Sequence, residues 1–264
     1  MKYLFANWDN LEKHIANKHL MLFFDYDGAL TPIVESPDKA LISQKTGDLL
    51  KKLSINPGCT VAIVTGRAAK DIKRKIGIKN IIYASNHGLQ MQGPKISFAA
   101  PLPAYFQDVL RKIKSDLKRD FRAVKGVLLE DKQVTLSVHY RSVNNQYVPF
   151  VMRTLQKITM PYIHKRKIAV NFGKKGFEIK PLVEWNKGNA VLWLLNRQKS
   201  AFSDKHILPV YIGDDVTDED AFKALKNDGL TIFVGRHKKS HAKYYLRHTK
   251  KVLKFLKILH NLLF

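Results

Sequence analysis

Cysteine is almost missing: Cys59 is the only one in 264 residues, so no intrachain disulfide can form. It lies beside Val61-Ala62-Ile63-Val64 and reads as a small core residue. Long apolar runs are missing too, and none reaches the roughly 18 residues that would span a bilayer. Met1 to Ala6 turns polar at Asn7, Asp9 and Asn10, without the apolar core of a secretion signal. These absences lead to the expectation of a cytoplasmic protein with no membrane partner. Acids are scarce, 22 against 46 Lys and Arg, for a net charge of +24. Such a field attracts polyanions. Yet zinc-finger spacing, RNP-like aromatic motifs and GXXG loops are all absent, and the basic residues are scattered. No specific nucleic-acid partner is expected, and an anionic small substrate accounts for the charge equally well.

What is present is enough apolar residue, 45%, to bury a core, and a strand-then-acid pattern that recurs. Leu20 to Phe24 reads as a buried strand that ends in Asp25-Tyr26-Asp27-Gly28. Two carboxylates with one residue between them lie on the same side of an extended chain. They repel each other unless one takes a proton or a divalent cation binds. Taken alone, the segment is also an ordinary strand followed by a polar turn. An EF-hand loop fits less well, because it needs a third oxygen ligand before its glycine and Gly28 comes too soon after the acids.

The pattern returns three times. Thr60 to Val64 leads into Thr65-Gly66-Arg67 and a helix from Ala68 to Ile76, a phosphate cradle or a plain helix cap. Ile81 to Ala84 leads into Ser85-Asn86-His87-Gly88. Val210 to Ile212 leads into Gly213-Asp214-Asp215-Val216-Thr217-Asp218, the densest acidic patch in a basic chain. Asp214 and Asp215 fall at the strand end, before any helix, which favours a metal; oxygen-only ligands favour Mg2+ over zinc. Asn186-Lys187-Gly188 opens another helix, with its lysine at the unfavourable end of the dipole.

The rest is read more coarsely. Residues 7–19 read as a helix, and residues 252–264 as a closing helix with a basic face. Between 96 and 180 the character changes. Phe106 to Phe121 and Val148 to Ile158 read as helices. Val127 to Tyr140 and Ile168 to Lys180 read as hairpins. Hairpins and helices without the strand-to-acid pattern suggest a separate α+β domain inserted in the first.

Asp-x-Asp-Gly, Thr-Gly-Arg, Lys-Gly and Gly-Asp-Asp, in that order after strands, resemble the haloacid dehalogenase superfamily. Finer matches resemble trehalose-6-phosphate phosphatases. They are Asp25-Tyr26-Asp27-Gly28-x-Leu30-Thr31-Pro32-Ile33, Ser85-Asn86-His87-Gly88, Glu130-Asp131-Lys132 with His139-Tyr140-Arg141, and Gly213 to Phe222. The resemblance covers about residues 20 to 235. It implies an α/β protein, a Rossmann-like haloacid dehalogenase core (1–95 and 181–264) with an inserted α+β cap (96–180). It implies Mg2+-dependent hydrolysis of trehalose 6-phosphate through an aspartyl-phosphate.

The roles it implies are specific. Asp25 would be the nucleophile and Asp27 the acid and base. Thr65 and Lys187 would grip the phosphoryl group. Asp25, the Asp27 carbonyl and Asp214 would hold Mg2+, supported by Asp215 and Asp218. Gly66, Arg67, Asn86, His87, Glu130, Lys132, Arg141, Lys174 and Glu178 would bind the substrate, and a monomer is expected. Two positions depart from the pattern: Ala29 stands where Thr is usual, and Asn186 where Asp is common. The alternatives are a phosphatase for sucrose or glucosylglycerol phosphate, and a non-catalytic basic binding protein.

Overall fold

The computed structural model describes residues 1–173, 175–201, 206–236 and 239–264. The chain forms two compact units, Met1–Ala99 with Trp185–Phe264, and Ala100–Glu184. The strands of the first unit before the crossing are β1 (Lys2–Tyr3), β2 (His19–Phe24), β3 (Cys59–Val64), β4 (Ile82–Ser85), β5 (Gln90–Gly93) and β6 (Ile96–Ala99). The second unit carries β7 (Leu128–Asp131), β8 (Leu136–His139), β9 (Ile168–Gly173) and β10 (Gly176–Pro181). The first resumes with β11 (Ile207–Gly213), β12 (Leu230–Val234) and β13 (Tyr244–Leu246). The helices are α1 (Trp8–Ile15), α2 (Gln44–Ile55), α3 (Ala69–Ile76), α4 (Phe106–Asp120), α5 (Val148–His164), α6 (Lys187–Ala201), α7 (Glu219–Ala224) and α8 (Thr249–Leu263).

Among the described residues the first unit builds one sheet, ordered β1-β13-β12-β11-β2-β3-β4-β5-β6. It is parallel from β1 through β4 and antiparallel beyond. Successive strands run from β2 out through β3 to β4 on one side, and from β11 out through β12 to β13 on the other. The direction of strand order therefore reverses between β2 and β11. Ligands of such sheets bind at the carboxyl ends of the strands flanking that switch point.

Burial on both faces explains the unbroken apolar runs. Leu20, Leu22 and Phe24 enter one core with Val61 and Ile63. Met21 and Phe23 enter the other with Ala62 and Val64. The first core is closed by α8, where Val252, Phe255, Leu256 and Leu259 are buried.

In the second unit the sheet order is β7-β8-β10-β9, antiparallel throughout. Its core joins Leu136, Val138, Phe177 and Ile179 to the apolar faces of α4 and α5.

Three expectations change. The boundary expected at 96 falls at Ala100, because Ile96–Ala99 pairs with β5 in the large sheet. The helix expected over 7–19 is a 3-10 turn, Leu4–Asn7, followed by α1, which stops at Ile15. Asn17 turns the chain with φ +61, so that His19 can begin β2. Helix α5 runs on past Ile158 to His164, carrying Pro161 within it. Among the described residues no helix is long and apolar enough to cross a membrane.

Candidate active site

Strand β2 delivers Asp25 directly to the switch point. Its N–H donates to Ile212 O of β11 at 2.8 Å, and the residue is buried. The chain then folds back on itself. Thr31 N–H and its hydroxyl both donate to Tyr26 O, at 2.9 and 3.1 Å. Gly28 takes φ +94, and a Cβ there would overlap the Asp214 carboxylate. Only glycine satisfies both the left-handed backbone and that close approach. Thus a residue on β2's loop and one on β11's loop are fitted to each other.

Lys187, at the start of α6, reaches into the same point. Its Nζ donates to Asp25 Oδ1 and to Asp218 Oδ1, each at 2.7 Å, with the lysine side chain only 3% exposed. Asp218 is fully buried and fully used. Its Oδ1 also accepts from the Tyr211 hydroxyl at 2.7 Å, and its Oδ2 from the backbone N–H of Asp214 and Asp215 at 2.9 and 3.0 Å. Asp218 therefore organises the loop after β11. Gly213 makes room for it, since a Cβ there would strike its carboxyl group. Asn186, in place of the expected acid, caps α6 by accepting from Asn189 N–H at 3.0 Å. Ala29, where the resemblance expects a hydroxyl, is completely buried in the core.

Three carboxylates, those of Asp25, Asp214 and Asp218, offer oxygens within 4.8 Å of one another. Lys187 is the cation bonded to two of them. Burial raises the Asp25 carboxyl well above its ordinary range; Lys187 opposes this, and Asp218 and Asp214 add to it. Burial, then the charges of Asp218 and Asp215, push Asp214 up to about 7. Burial would pull Lys187 down, but Asp218 and Asp25 together raise it, so it stays charged. Asp214 Oδ1 is buried with no hydrogen-bond partner. A buried orphan acceptor beside an excess of negative charge fits a hard divalent cation with oxygen ligands. Asp215, expected to support a metal, is exposed. Its Oδ1 accepts from Val216 N–H at 2.6 Å and caps the turn Val216–Asp218.

The ends of β3 and β4 are zipped together beside this cluster. Asn86 N–H donates to Arg67 O and His87 N–H to Thr65 O, both at 2.9 Å. Asn86, His87 and Gly88 all take left-handed backbone, φ +51, +58 and +89, which turns the chain tightly enough to do so. Thr65 Oγ1 accepts from Arg67 N–H at 3.2 Å. Gly66 lies against His87, whose ring would be 2.7 Å from a Cβ there. Arg67 was expected at the substrate. The structure commits its guanidinium to Asp27 through two 2.7 Å bonds, to Asp71 at 2.6 Å and to Pro37 O at 2.9 Å.

In the second unit, Glu130, Ser137 and Glu178 pair across β7, β8 and β10 and so share one face of the sheet. Lys132 Nζ donates to Glu178 Oε1 at 3.1 Å, and Thr135 Oγ1 approaches the same oxygen at 3.4 Å. His139 Nε2 and Glu130 Oε2 are 3.0 Å apart. Three of the expected sugar-binding residues are thus assembled. Arg141 is exposed in the turn after β8. Lys174 lies outside the described residues.

Tyr211 and Asp71 were given no role from the sequence. Tyr211 left a trace, as a hydroxyl-bearing residue within the apolar strand that ends at Gly213-Asp214.

A mostly parallel sheet with a buried aspartate ending one strand at its switch point, reached by a lysine from another element, is the arrangement of haloacid dehalogenase-type hydrolases. The fold is shared with a haloacid dehalogenase-like hydrolase from Bacteroides thetaiotaomicron, at a TM-score of 0.65, covering 92% of this chain and 100% of that one, with 13% identity. The family described as trehalose-phosphatase matches residues 23–250, and the chain belongs to that family. Trehalose-phosphate phosphatase B of Arabidopsis thaliana is 33% identical over an alignment of 264 positions that covers 94% of this chain and 68% of the relative. The C-terminal domain of C. albicans trehalose-6-phosphate phosphatase superposes with a TM-score of 0.79 at 27% identity, covering 97% of this chain and 98% of that one.

Proposed function

We propose that this protein hydrolyses trehalose 6-phosphate to trehalose and inorganic phosphate, with Mg2+ as its cofactor. The observation that carries the reading is the buried Asp25 at the switch point, held by Lys187 beside Asp214. Asp25 attacks phosphorus and becomes an aspartyl-phosphate, dividing one difficult displacement into two easier ones. Lys187 fixes Oδ1 and leaves Oδ2 to attack. Asp27 protonates the departing sugar oxygen and then takes a proton from the hydrolytic water. The Thr65 hydroxyl accepts from the Arg67 backbone amide, which leaves its own proton to be donated to a phosphoryl oxygen. Asp25, the Asp27 carbonyl and Asp214 are the groups that would hold Mg2+. Bound there, the cation would neutralise the carboxylates and the charge developing on the transferred group.

Sugar recognition we assign to Glu130, Lys132 and Glu178, whose carboxylates and ammonium suit a ring of hydroxyls. The Asn86, His87 and Arg141 assignments belong to the same reading, as does a cytoplasmic monomer. Glu178→Ala raises KM for the sugar phosphate with a smaller effect on kcat; equal losses in both parameters would argue against a binding role. The function itself is tested by phosphate release from trehalose 6-phosphate beside a panel of other sugar phosphates, with Mg2+ and with chelator. Metal-dependent preference for trehalose 6-phosphate is expected. Preference for another sugar overturns the substrate, and undiminished release in chelator overturns the cofactor.

A further inference from the structure

We infer that Arg67 is a positioning residue for Asp27 and not a ligand of the substrate. Its guanidinium fixes the orientation in which the acid–base carboxylate is presented. The inference rests on the roles of Asp25 and Asp27 proposed above.

The geometry is that of a two-pronged fork. Arg67 Nε donates to Asp27 Oδ2 and Nη2 to Oδ1, both at 2.7 Å. The planar guanidinium matches a carboxylate in this way and a lysine cannot. The fork is itself held on every side. Nη1 is tied to Asp71 Oδ2 in the first turn of α3, and Nη2 also to Pro37 O. The guanidinium carbon lies 5.1 Å from the Tyr26 ring centroid. The Arg67 backbone is pinned between Thr65 Oγ1 and Asn86 N–H. To reach a phosphate, Arg67 would have to leave bonds to both Asp27 and Asp71.

The Asp27 side chain, by contrast, is 43% exposed, and each of its oxygens keeps a second lone-pair direction for a reacting proton. Nucleophile and acid–base group therefore each have their own cation: Lys187 from α6 holds Asp25, and Arg67 from the end of β3 holds Asp27.

The chemistry separates positioning from simple stapling. When Asp25 attacks a sugar phosphate, the ester P–O bond breaks toward the sugar oxygen, which takes its proton from Asp27. With p-nitrophenyl phosphate the leaving p-nitrophenolate is stable as an anion and needs no proton. In the second step water attacks phosphorus, its proton passes to Asp27, and the bond to Asp25 breaks. A residue that aims Asp27 therefore matters to first-step departure of a sugar and not of p-nitrophenolate.

The test is single-turnover release of each leaving group by Mg2+-loaded wild type, Arg67→Met and Arg67→Lys. Release of the sugar is expected to fall roughly 100-fold in Arg67→Met, the scale of a misplaced general acid. Release of p-nitrophenolate and KM for the sugar phosphate stay within about threefold of wild type. Arg67→Lys keeps the charge without the fork and recovers less than about a tenth of the lost rate. Equal falls for both leaving groups overturn the inference, as does a KM rise with kcat retained, which marks a substrate ligand. Should Arg67→Met not fold, Asp71→Asn loosens the guanidinium and gives the same selective loss in smaller measure; an unselective loss there also overturns it. Wild type that releases no p-nitrophenolate overturns the phosphatase reading and this inference with it. Wild-type release with unselective variants overturns this inference alone.

Discussion

Single side chains at this site do work that no neighbour can take over. Asp25→Asn removes the proposed nucleophile and should abolish phosphate release. It should also leave the metal-free protein no less stable, because it discharges one member of an acidic cluster. Thermal melting in chelator and a turnover assay check both halves. Lys187→Met is the opposite case. It leaves Asp25 and Asp218 buried without their cation, and breaking such a pair from one side costs about 3–5 kcal/mol. Denaturant unfolding of the variant measures this, and a cost under about 1 kcal/mol would mean the carboxylates find other relief. Gly28→Ala should lose activity out of proportion to its size, since the added methyl displaces the Asp214 carboxylate. Activity near that of wild type would show that the loop can shift aside.

At the scale of elements, the site is a set of strand ends and helix starts. Strands β2, β3 and β11 deliver Asp25, Thr65 and Asp214, and α6 delivers Lys187. Each strand was legible as an apolar run ending in polar residues, and α6 as a helix opened by Asn186-Lys187-Gly188. Strands buried on both faces have to be apolar throughout, and the point where polarity returns is where the strand meets solvent or ligand. The hairpin β5–β6 was not legible. Its strands are four residues each, Met91 is their one buried side chain, and they join the sheet as an antiparallel edge too short to give a strong period. The capping of α2 is also local. Ser43 Oγ accepts from Thr46 N–H at 3.1 Å, and Ser43→Ala should cost about 1 kcal/mol in denaturant unfolding without changing kcat.

For the whole molecule, two electrostatic scales meet. The net charge of +24 makes the folded chain repel itself, so added salt should raise its melting temperature until screening is complete. The site has the opposite excess. Asp214, raised to about 7 in the fold, holds a proton that the unfolded chain releases near its ordinary value of about 4. Its contribution to folding is therefore lost as pH rises from about 4 to about 7. Asp25 is shifted in the same direction. In chelator, the wild type should lose stability relative to Asp214→Asn as pH rises from about 4 to about 7. Added Mg2+ should raise the wild-type melting temperature more at the upper pH than at the lower. A pH-independent difference between the two proteins would mean that Asp214 is not the group that titrates.

The sequence alone determined the buried strands, the order of their polar ends and the glycine that follows Asp27. These depend on local rules, namely apolar runs, glycine at a left-handed turn and polar residues at strand ends. Tertiary structure decided the partnerships. Nothing in the spacing of Lys187 from Asp25, or of Arg67 from Asp27, says which cation holds which carboxylate, because those pairs are set by the order of strands in the sheet. The same holds for Asp215, which the resemblance makes a support of the metal and which caps a turn in the fold. Asp218, three residues later, is the carboxylate that Lys187 and Tyr211 hold in the interior.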